Sequence, residues 1–552
     1  MKKIIIFILI ILLAVGAVFF FGHSGSKEGS IVKNDSFEEC AGRLISTKSE
    51  YMQGENLNLL VGGKSLASFD YDIKMDHSMK VSSTTNFLED IMGCSVNELK
   101  DGSVEIDRNT VALKIDADEI ISENGKSYIP ISENAEKLGY DIKYSFSEGS
   151  VDFINTDDNN NLPEAYDMRE HGRVSPVRDQ DEWGTCWAFA SLGALETISL
   201  PKEEYIYSVD HMSRNNGYSL KISEGGEHSM SIAYMAAWRG PVFEKDDPYG
   251  DEATNNNLEA EKHLEEAIII NSRDDRKIKS AIYKYGGVET SIYLAMSYGE
   301  TESSYYNDST SSYYYSGTAQ PNHAVVVVGW DDHYPKENFN LAPKEDGAYI
   351  CKNSWGEKFG DKGYFYISYE DVNICNQSIV YTRIGDKDNY DNIYQSDILG
   401  WVGQMGYSEE QAYFANVYTS KGDEILKAIS FYATGDNTKF KVFVVTDYED
   451  MASLNSGRKE VGQGETRYAG YYTVNLRRDI KLKAGQKYAV IVSVNTPGSE
   501  RPIAIECDAG ERTKDLNLKD GEGYMSLYGE VWHNAEESDA NICLKAFTDD
   551  DK

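Results

Sequence analysis

Cysteine is scarce in this sequence. The 552 residues include only seven cysteines, and an odd count leaves at least one without an intramolecular partner. A dense disulfide framework is therefore excluded. Cys40 could pair with Cys94, and Cys507 with Cys543, but spacing alone does not establish a disulfide, and unpaired structural thiols explain the pattern equally well.

Positive charge is scarce as well. There are 54 Lys and Arg residues against 91 Asp and Glu, which gives a formal net charge of -37. Such a chain repels phosphate backbones, so we expect no nucleic-acid partner. The length exceeds what one hydrophobic core organises, so several domains are expected.

The N-terminus combines two lysines with a long apolar run. Lys2 and Lys3 precede residues 4–21, IIIFILIILLAVGAVFFF. This pattern is typical of a secretory signal or a membrane anchor, and the lysines favour a cytoplasmic N-terminus. The run is long for a signal peptide and offers a poor cleavage site. We therefore expect residues 1–23 to form an uncleaved single-pass anchor with the rest of the chain outside; cleavage would instead give a secreted protein.

A repeat follows a polar linker over residues 24–60. Residues 86–93, NFLEDIMG, and 102–106, GSVEI, return as residues 134–139, NAEKLG, and 149–153, GSVDF. Each copy predicts a short amphipathic helix that ends at glycine and precedes strands. The two copies would bury their apolar faces against each other. Residues 61–157 are thus expected to form a small repeated α+β domain.

The C-terminal third has the pattern of a β-sandwich. Short alternating apolar runs recur between Gly, Asp and Asn turns, for example in residues 428–432 (AISFY), 441–445 (KVFVV) and 488–492 (YAVIV). We predict a β-sandwich over residues 390–552.

The central region carries several motifs in a fixed order. They are residues 162–169 (LPEAYDMR), 174–180 (VSPVRDQ), 183–190 (WGTCWAFA), 225–226 (GG), 321–325 (PNHAV), 328–331 (VGWD), 352–356 (KNSWG) and 363–364 (GY). This series resembles papain and the cathepsins. The resemblance covers residues 160–385 and implies a papain-like catalytic domain of two lobes, one helical and one β-barrel-like, with cysteine endopeptidase activity.

The residues themselves support nucleophilic chemistry. A thiol attacks a carbonyl only as the thiolate, so its pKa must be lowered. Cys186 follows a Gly-Thr turn and opens an Ala- and Leu-rich segment, so it should begin a buried helix whose N-terminal partial charge favours the thiolate. His323 precedes the apolar run 324–328, AVVVV, which predicts a buried strand that supports the imidazole rigidly.

The resemblance assigns further catalytic roles. It implies that Asn353 orients the ring of His323 and that Trp355 covers their hydrogen bond. It also implies that the side chain of Gln180 and the backbone N–H of Cys186 form the oxyanion hole.

The resemblance likewise suggests a substrate-binding wall. Gly225 and Gly226 would lie along the substrate backbone. Glu227 and His228 would then line the pocket for the second residue before the scissile bond, which we call the penultimate position. A carboxylate there should attract a cationic side chain, unless Glu227 points to solvent, as glutamate ordinarily does.

Several features depart from papain. Ser223 and Glu224 stand where a paired cysteine is usual, and no inhibitory helical propeptide is recognisable. Residues 332–346 form a polar insertion that could cover or extend the cleft. We interpret Cys351 and Cys375 as structural, and the Tyr- and Ser-rich residues 298–315 as a loop and strand that border the cleft.

The flanking domains resemble known modules. Around residues 125–131, GKSYIPI, the repeat domain resembles the stalk-like domain named after the N-terminus of copper amine oxidases, but His77 alone offers no ligand cluster. Residues 390–552 resemble the lectin-like domain of prokaryotic papain-type enzymes. Aromatic residues such as Trp532 could stack on sugars, although core packing is the commoner role.

These observations favour an extracytoplasmic cysteine endopeptidase without metal or cofactor. Its partners would be protein or peptide substrates, the membrane, and a carbohydrate or cell-surface ligand for the flanking domains. The alternative is a surface adhesin or wall-binding protein that uses the peptidase fold only as a scaffold. A transglutaminase or amidase is a weaker rival, because the order of the motifs is that of papain.

Overall fold

The computed structural model of the protein describes residues 58–61, 64–65, 73–75, 80–108, 111–123, 126–135, 137–145, 150–155, 162–251, 253–519 and 523–552. The predicted anchor and most of the linker lie outside these ranges, as do Cys40 and His77. Within these ranges, no helix has the length and apolar character needed to span a membrane.

In the N-terminal unit the described residues form short strands and one helix. They are β1 (Asn58–Val61), β2 (Lys64–Ser65), β3 (Ile73–Met75), β4 (Val81–Ser83), α1 (Thr85–Asp90), β5 (Ser95–Glu98), β6 (Val104–Arg108), β7 (Val111–Ile115), β8 (Ile121–Glu123), β9 (Lys126–Pro130), β10 (Tyr140–Ser145) and β11 (Ser150–Asn155). The two copies of the repeat give the hairpins β5–β6 and β10–β11. They share one core, in which the rings of Phe87 and Phe153 lie 4.9 Å apart.

The helix predicted in the second copy includes Glu136, which lies outside the described residues, so this helix stays a prediction. On either side of it the described residues form turns, in which the Leu138 N–H donates to the Asn134 carbonyl. Arg108 joins the two copies, because its guanidinium donates to the carbonyls of both Met92 and Leu138.

The central unit contains most of the helices. Its elements are β12 (Ala165–Asp167), α2 (Cys186–Glu196), α3 (Val209–Asn215), α4 (His228–Ala236), β13 (Lys262–Ile270), α5 (Asp275–Lys284), β14 (Val288–Ile292), β15 (Tyr306–Asn307), β16 (Ser312–Tyr313), β17 (His323–Asp331), β18 (Ala348–Lys352), β19 (Tyr364–Ser368) and β20 (Ser378–Asp386). Helices α2, α3 and α4 pack together as one lobe, and α2 lies across β17. The close packing uses Gly193, where an added Cβ would lie 3.4 Å from Val326.

The C-terminal unit consists mainly of β-strands. They are β21 (Asn392–Tyr394), β22 (Gly403–Met405), β23 (Gln411–Thr419), β24 (Glu424–Ala433), β25 (Thr438–Val445), β26 (Lys459–Thr466), β27 (Ala469–Leu482), β28 (Lys487–Asn495), β29 (Ile503–Cys507), β30 (Gly523–Ser526), β31 (His533–Asn534), β32 (Ala540–Ile542) and β33 (Leu544–Asp550). The sheet with β23 and β25 packs on the sheet with β24, because Phe431 contacts Phe414 and Phe440 across the interface. The predicted sandwich is thus observed. Trp532 is 6% exposed and its indole N–H donates to Asn455, so its role is core packing.

The sheet of the central unit continues into the C-terminal unit at one edge, a connection that the sequence did not predict. Strand β13 pairs with β20 on one side and with β27 of the C-terminal unit on the other. A 13-stranded sheet therefore runs through both units. Backbone pairing at this edge removes an open strand edge from each unit. The N-terminal unit also contacts the C-terminal one, through a buried ion pair of Asp107 with Arg477.

The insertion at residues 332–346 begins at the opposite end of strand β17 from His323. It follows the last residue of β17, whereas His323 is the first, and a nine-residue strand spans roughly 25–30 Å. The insertion packs on the Tyr- and Ser-rich segment, where Asn307 and Thr310 donate to the Asn338 carbonyl. The expectation that it could cover or extend the cleft stays a prediction.

The junction between β13 and β27 gives a first prediction. Gly470 has φ +148, and an added Cβ would lie 2.2 Å from the Ala267 carbonyl oxygen. Gly470→Ala should therefore lower the free energy of unfolding by roughly 1–3 kcal/mol, as measured by denaturant titration. Gly462→Ala is the matched control, because its Cβ would meet only side chains at 3.5 Å or more. Equal effects of the two substitutions would contradict this account of the junction.

Candidate active site

Cys186 is the first residue of helix α2, as predicted. The preceding Thr185 does not cap the helix with its side chain, and its hydroxyl bonds instead to that of Tyr249 at 2.7 Å. The helix N-terminus is therefore open towards the sulfur, where its partial positive charge stabilises a thiolate. The backbone N–H groups of Trp187 and Ala324 also lower the pKa of the Cys186 thiol.

His323 is held by the predicted asparagine. Its Nε2 donates to Asn353 Oδ1 at 2.7 Å, and the backbone N–H of Ser354 donates to the same oxygen at 2.9 Å. Two donors converging on one atom identify it as the amide oxygen. Since Nε2 is used in this way, Nδ1 is the ring nitrogen left for the hydrogen bond to Cys186.

Cys186 and His323 shift each other's pKa in opposite directions. Burial by itself raises the pKa of the thiol and lowers the pKa of the imidazole. Their mutual hydrogen bond and opposite charges outweigh burial, so the pKa of Cys186 is lowered and that of His323 is raised. Both shifts favour the thiolate–imidazolium pair.

Gln180 is fixed by two side-chain hydrogen bonds. Its Nε2 donates to the Trp183 carbonyl at 2.7 Å, and its Oε1 accepts from the Ser354 hydroxyl at 2.6 Å. A primary amide has two N–H donors, so one remains to bind an oxyanion. Ser354 directly follows Asn353 in sequence, so it also links Gln180 to Asn353 and hence to His323. Sequence analysis missed Ser354, although it lies inside the motif 352–356.

Aromatic side chains cover the imidazole. The ring of Trp355 lies 5.3 Å from the ring of His323, as the predicted roof requires. Tyr298 meets Trp355 edge to face at 6.0 Å. The Tyr- and Ser-rich segment therefore does border the site, as predicted.

The glycine pair lies beside the nucleophile. An added Cβ on Gly226 would come within 2.4 Å of the indole of Trp187, and one on Gly184 would lie 2.9 Å from the backbone nitrogen of Gly225. Only glycines allow these two chain segments to approach so closely. Glu227, the next residue, does not present a free carboxylate, because its Oε1 lies 2.7 Å from Nη2 of Arg512 in the C-terminal unit.

A buried network missed by sequence analysis anchors the far end of α2. Glu196, the last residue of the helix, accepts from Arg178 at 2.9 Å and from Ser175. Lys352 donates to the same Ser175 hydroxyl at 2.8 Å, and burial lowers its pKa to about 8. The network ties the helix to strand β18, which leads directly to Asn353.

The other described cysteines are free thiols and are buried or half-buried. Burial raises the pKa of Cys351, and that of Cys375 to about 12. This agrees with their interpretation as structural residues. The disulfide considered between Cys507 and Cys543 is not present. Among the described cysteines, Cys186 is the one whose pKa is shifted downward.

Comparisons with known proteins agree with this geometry. Residues 162–382 match the model of the papain family cysteine proteases, and residues 393–548 match that of the lectin-like domain. The probable cysteine protease RD19B of Arabidopsis thaliana is 31% identical over 230 residues, or 39% of this chain and 60% of that protein. The thiol protease aleurain of the same plant is 32% identical over 218 residues, or 37% of this chain and 55% of that protein. The chain thus covers less than two thirds of either relative.

Two solved structures extend the similarity across both domains. A structure of the clostridial cysteine protease Cwp84 after propeptide cleavage has a TM-score of 0.63 at 26% identity, over 70% of this chain and 99% of that one. The structure of the protease and lectin-like domains of Cwp84, a surface layer associated protein of Clostridium difficile, has a TM-score of 0.62 at 26% identity, over 70% of this chain and 89% of that one. Residues 162–382 of this chain therefore form a papain-family cysteine protease domain, and residues 393–548 form a lectin-like domain.

Proposed function

We propose that this protein is an extracytoplasmic cysteine endopeptidase. The observation that carries the proposal is the placement of Cys186 at an open helix N-terminus together with His323, whose ring is oriented by Asn353 and whose charge lowers the pKa of the thiol. Papain-family relatives at 31–32% identity support the same chemistry.

The proposed reaction proceeds through a thioester. The thiolate of Cys186 attacks the peptide carbonyl carbon, and the oxygen takes up the negative charge. That charge is stabilised by the remaining N–H of Gln180 and the backbone N–H of Cys186. His323 gives its proton to the departing amine as the C–N bond breaks. The neutral imidazole then removes a proton from water, which attacks the thioester carbon. The C–S bond breaks and releases the acid, and the Cys186 thiolate and protonated His323 are restored.

A scaffold without catalysis is the competing function. It fits the presence of two flanking modules, since a fold alone does not determine function. It does not explain why Gln180 retains an unused N–H beside a helix N-terminus whose thiol has a lowered pKa. Perturbed groups arranged in this manner are the mark of an active site.

The location and ligands form the second part of the proposal. Lys2, Lys3 and the apolar residues 4–21 support export, with the catalytic domain outside the membrane. The similarity to Cwp84, described as surface layer associated, supports a place at the cell surface. We infer that cell-surface proteins are substrates and that the lectin-like domain binds a carbohydrate there.

The nucleophile is tested by Cys186→Ala. We expect peptide hydrolysis to fall to background while circular dichroism remains that of the folded protein, because alanine fits the helix start but cannot attack. His323→Ala should be almost as severe, because the two residues act as a unit. Cys507→Ala is the matched control, being another half-buried free thiol, and should keep full activity. Turnover by Cys186→Ala would contradict the assignment.

The oxyanion hole is tested by Gln180→Ala. Loss of one donor should lower kcat by about 10²-fold with little change in KM, measured on a peptide substrate. Ser354→Ala should act in the same direction but more weakly, because the hydroxyl only orients the amide. If Gln180→Ala changed KM alone, the residue would serve substrate binding and not the transition state.

The ion pair predicts a pH profile of kcat/KM with two limbs. The acid limb reports protonation of the Cys186 thiolate and should lie below the ordinary thiol pKa of about 8.5. The alkaline limb reports loss of the His323 proton and should lie above the ordinary imidazole pKa of about 6.5. Asn353→Ala should move the alkaline limb to lower pH, because its hydrogen bond helps to raise the pKa of His323. A single rise near pH 8.5 would show that no ion pair forms.

A further inference from the structure

A segment of the lectin-like domain lies against the protease next to the glycine pair. It contains the short 3-10 helix Glu511–Thr513. The backbone N–H of Ser219 donates to the Arg512 carbonyl at 2.9 Å, and the Ser219 hydroxyl donates to Asp515 at 2.6 Å. The Tyr218 hydroxyl donates to the carbonyl of Leu399, which is also in the C-terminal unit, at 2.7 Å. Residues 218–219 are therefore docked on the lectin-like domain by backbone and side-chain bonds together.

The side chain of Arg512 reaches further, to the wall beyond the glycines. Its Nη2 lies 2.7 Å from Glu227 Oε1 and 3.4 Å from the sulfur of Met230, and its guanidinium carbon is 5.9 Å from the centre of the Tyr218 ring. Its Nε is buried and has no hydrogen-bond partner within the part of the chain that the structure describes. The guanidinium thus has donors to spare after binding the carboxylate.

The pair formed by Arg512 and Glu227 is close to the catalytic helix. Gly226 packs on the indole of Trp187, the residue directly after the nucleophile, and Glu227 follows Gly226. Any substrate strand laid along the glycines toward Cys186 would therefore pass this pair. The two opposite charges cancel at short range, so the wall carries no net charge.

We propose that Arg512 of the lectin-like domain determines the specificity of the protease at the penultimate position. It neutralises Glu227 and thereby prevents selection of cationic side chains, so uncharged side chains are accepted. This inference rests on the proposed peptidase function. It also replaces the preference for arginine or lysine that Glu227 alone would predict.

The pair suits a test of specificity because it is only partly buried. The side chains of Arg512 and Glu227 are 41% and 50% exposed. Ion pairs this exposed add little to stability, so their removal should leave the fold intact. The backbone bond between Ser219 and Arg512 also survives any change of the arginine side chain.

The experiment compares kcat/KM for matched peptides that differ only in arginine, leucine or glutamate at the penultimate position. The wild type, Arg512→Met, Glu227→Gln and the double variant form a mutant cycle. Arg512→Met leaves an unpaired carboxylate and should raise the arginine-to-leucine ratio by about tenfold. Glu227→Gln leaves an unpaired guanidinium and should raise the glutamate-to-leucine ratio instead. The double variant should return both ratios to within about twofold of the wild type.

Two controls separate charge from packing. Arg512→Lys keeps the charge and should keep the wild-type ratios. Lys514→Met removes a nearby exposed cation that pairs with Glu511 at 3.2 Å, and should change neither ratio. Thermal unfolding of each variant checks that the domains remain folded. Glu227→Gln changes a residue of the protease only, so its effect cannot come from a change of sequence in the lectin-like domain.

The outcomes distinguish this inference from the function on which it rests. If all four proteins were active and had the same arginine-to-leucine and glutamate-to-leucine ratios, the role of Arg512 would be overturned and the peptidase assignment would stand. The Lys514→Met control gives a second way to overturn the role of Arg512. If this control changed the ratios as much as Arg512→Met does, a general surface charge would be responsible. A wild type that hydrolyses no peptide would remove both proposals.

Discussion

The packing of one buried helix against one buried strand is the constraint on which the rest of the structure depends. Helix α2 carries the nucleophile at its first residue, and strand β17 carries the base at its first residue. All residues of α2 after Cys186 are buried, and Gly193 lets the helix approach Val326 closely. The network around Glu196 fixes the other end of the helix. Because neither element can slide without opening a cavity, the sulfur and the imidazole stay within hydrogen-bonding reach.

The lectin-like domain is part of the same structural unit as the protease. Strand β13 belongs to the protease, yet it pairs with β20 and with β27 at once, and one hydrophobic core extends through both domains. A sheet shared in this way holds the two domains in a fixed relation. That rigidity allows a side chain of one domain to act in the cleft of the other. The contact of Arg512 with Glu227 spans 285 positions of sequence and depends on this shared sheet.

Sequence analysis predicted the residues whose roles follow from local pattern. Cys186 at a helix start and His323 at the start of a buried strand needed only periodicity and turn residues, and Asn353 and Gln180 followed from motif resemblance. What sequence analysis missed depends on long-range geometry. The edge pairing of β13 with β27 uses backbone groups, and because every residue has these groups, no sequence pattern marks the pairing. The partner of Glu227, Arg512, lies in another domain far along the sequence.

The central claim is that Cys186 is an activated thiolate while the other described cysteines are not. Stoichiometric treatment with a thiol-directed epoxide at neutral pH, followed by peptide mapping of all seven cysteines, tests this most directly. The account predicts one modified residue, Cys186, with modification and loss of activity proceeding at the same rate, because the other described thiols have a raised pKa through burial. Modification spread over several cysteines, or full activity after Cys186 is modified, would contradict it.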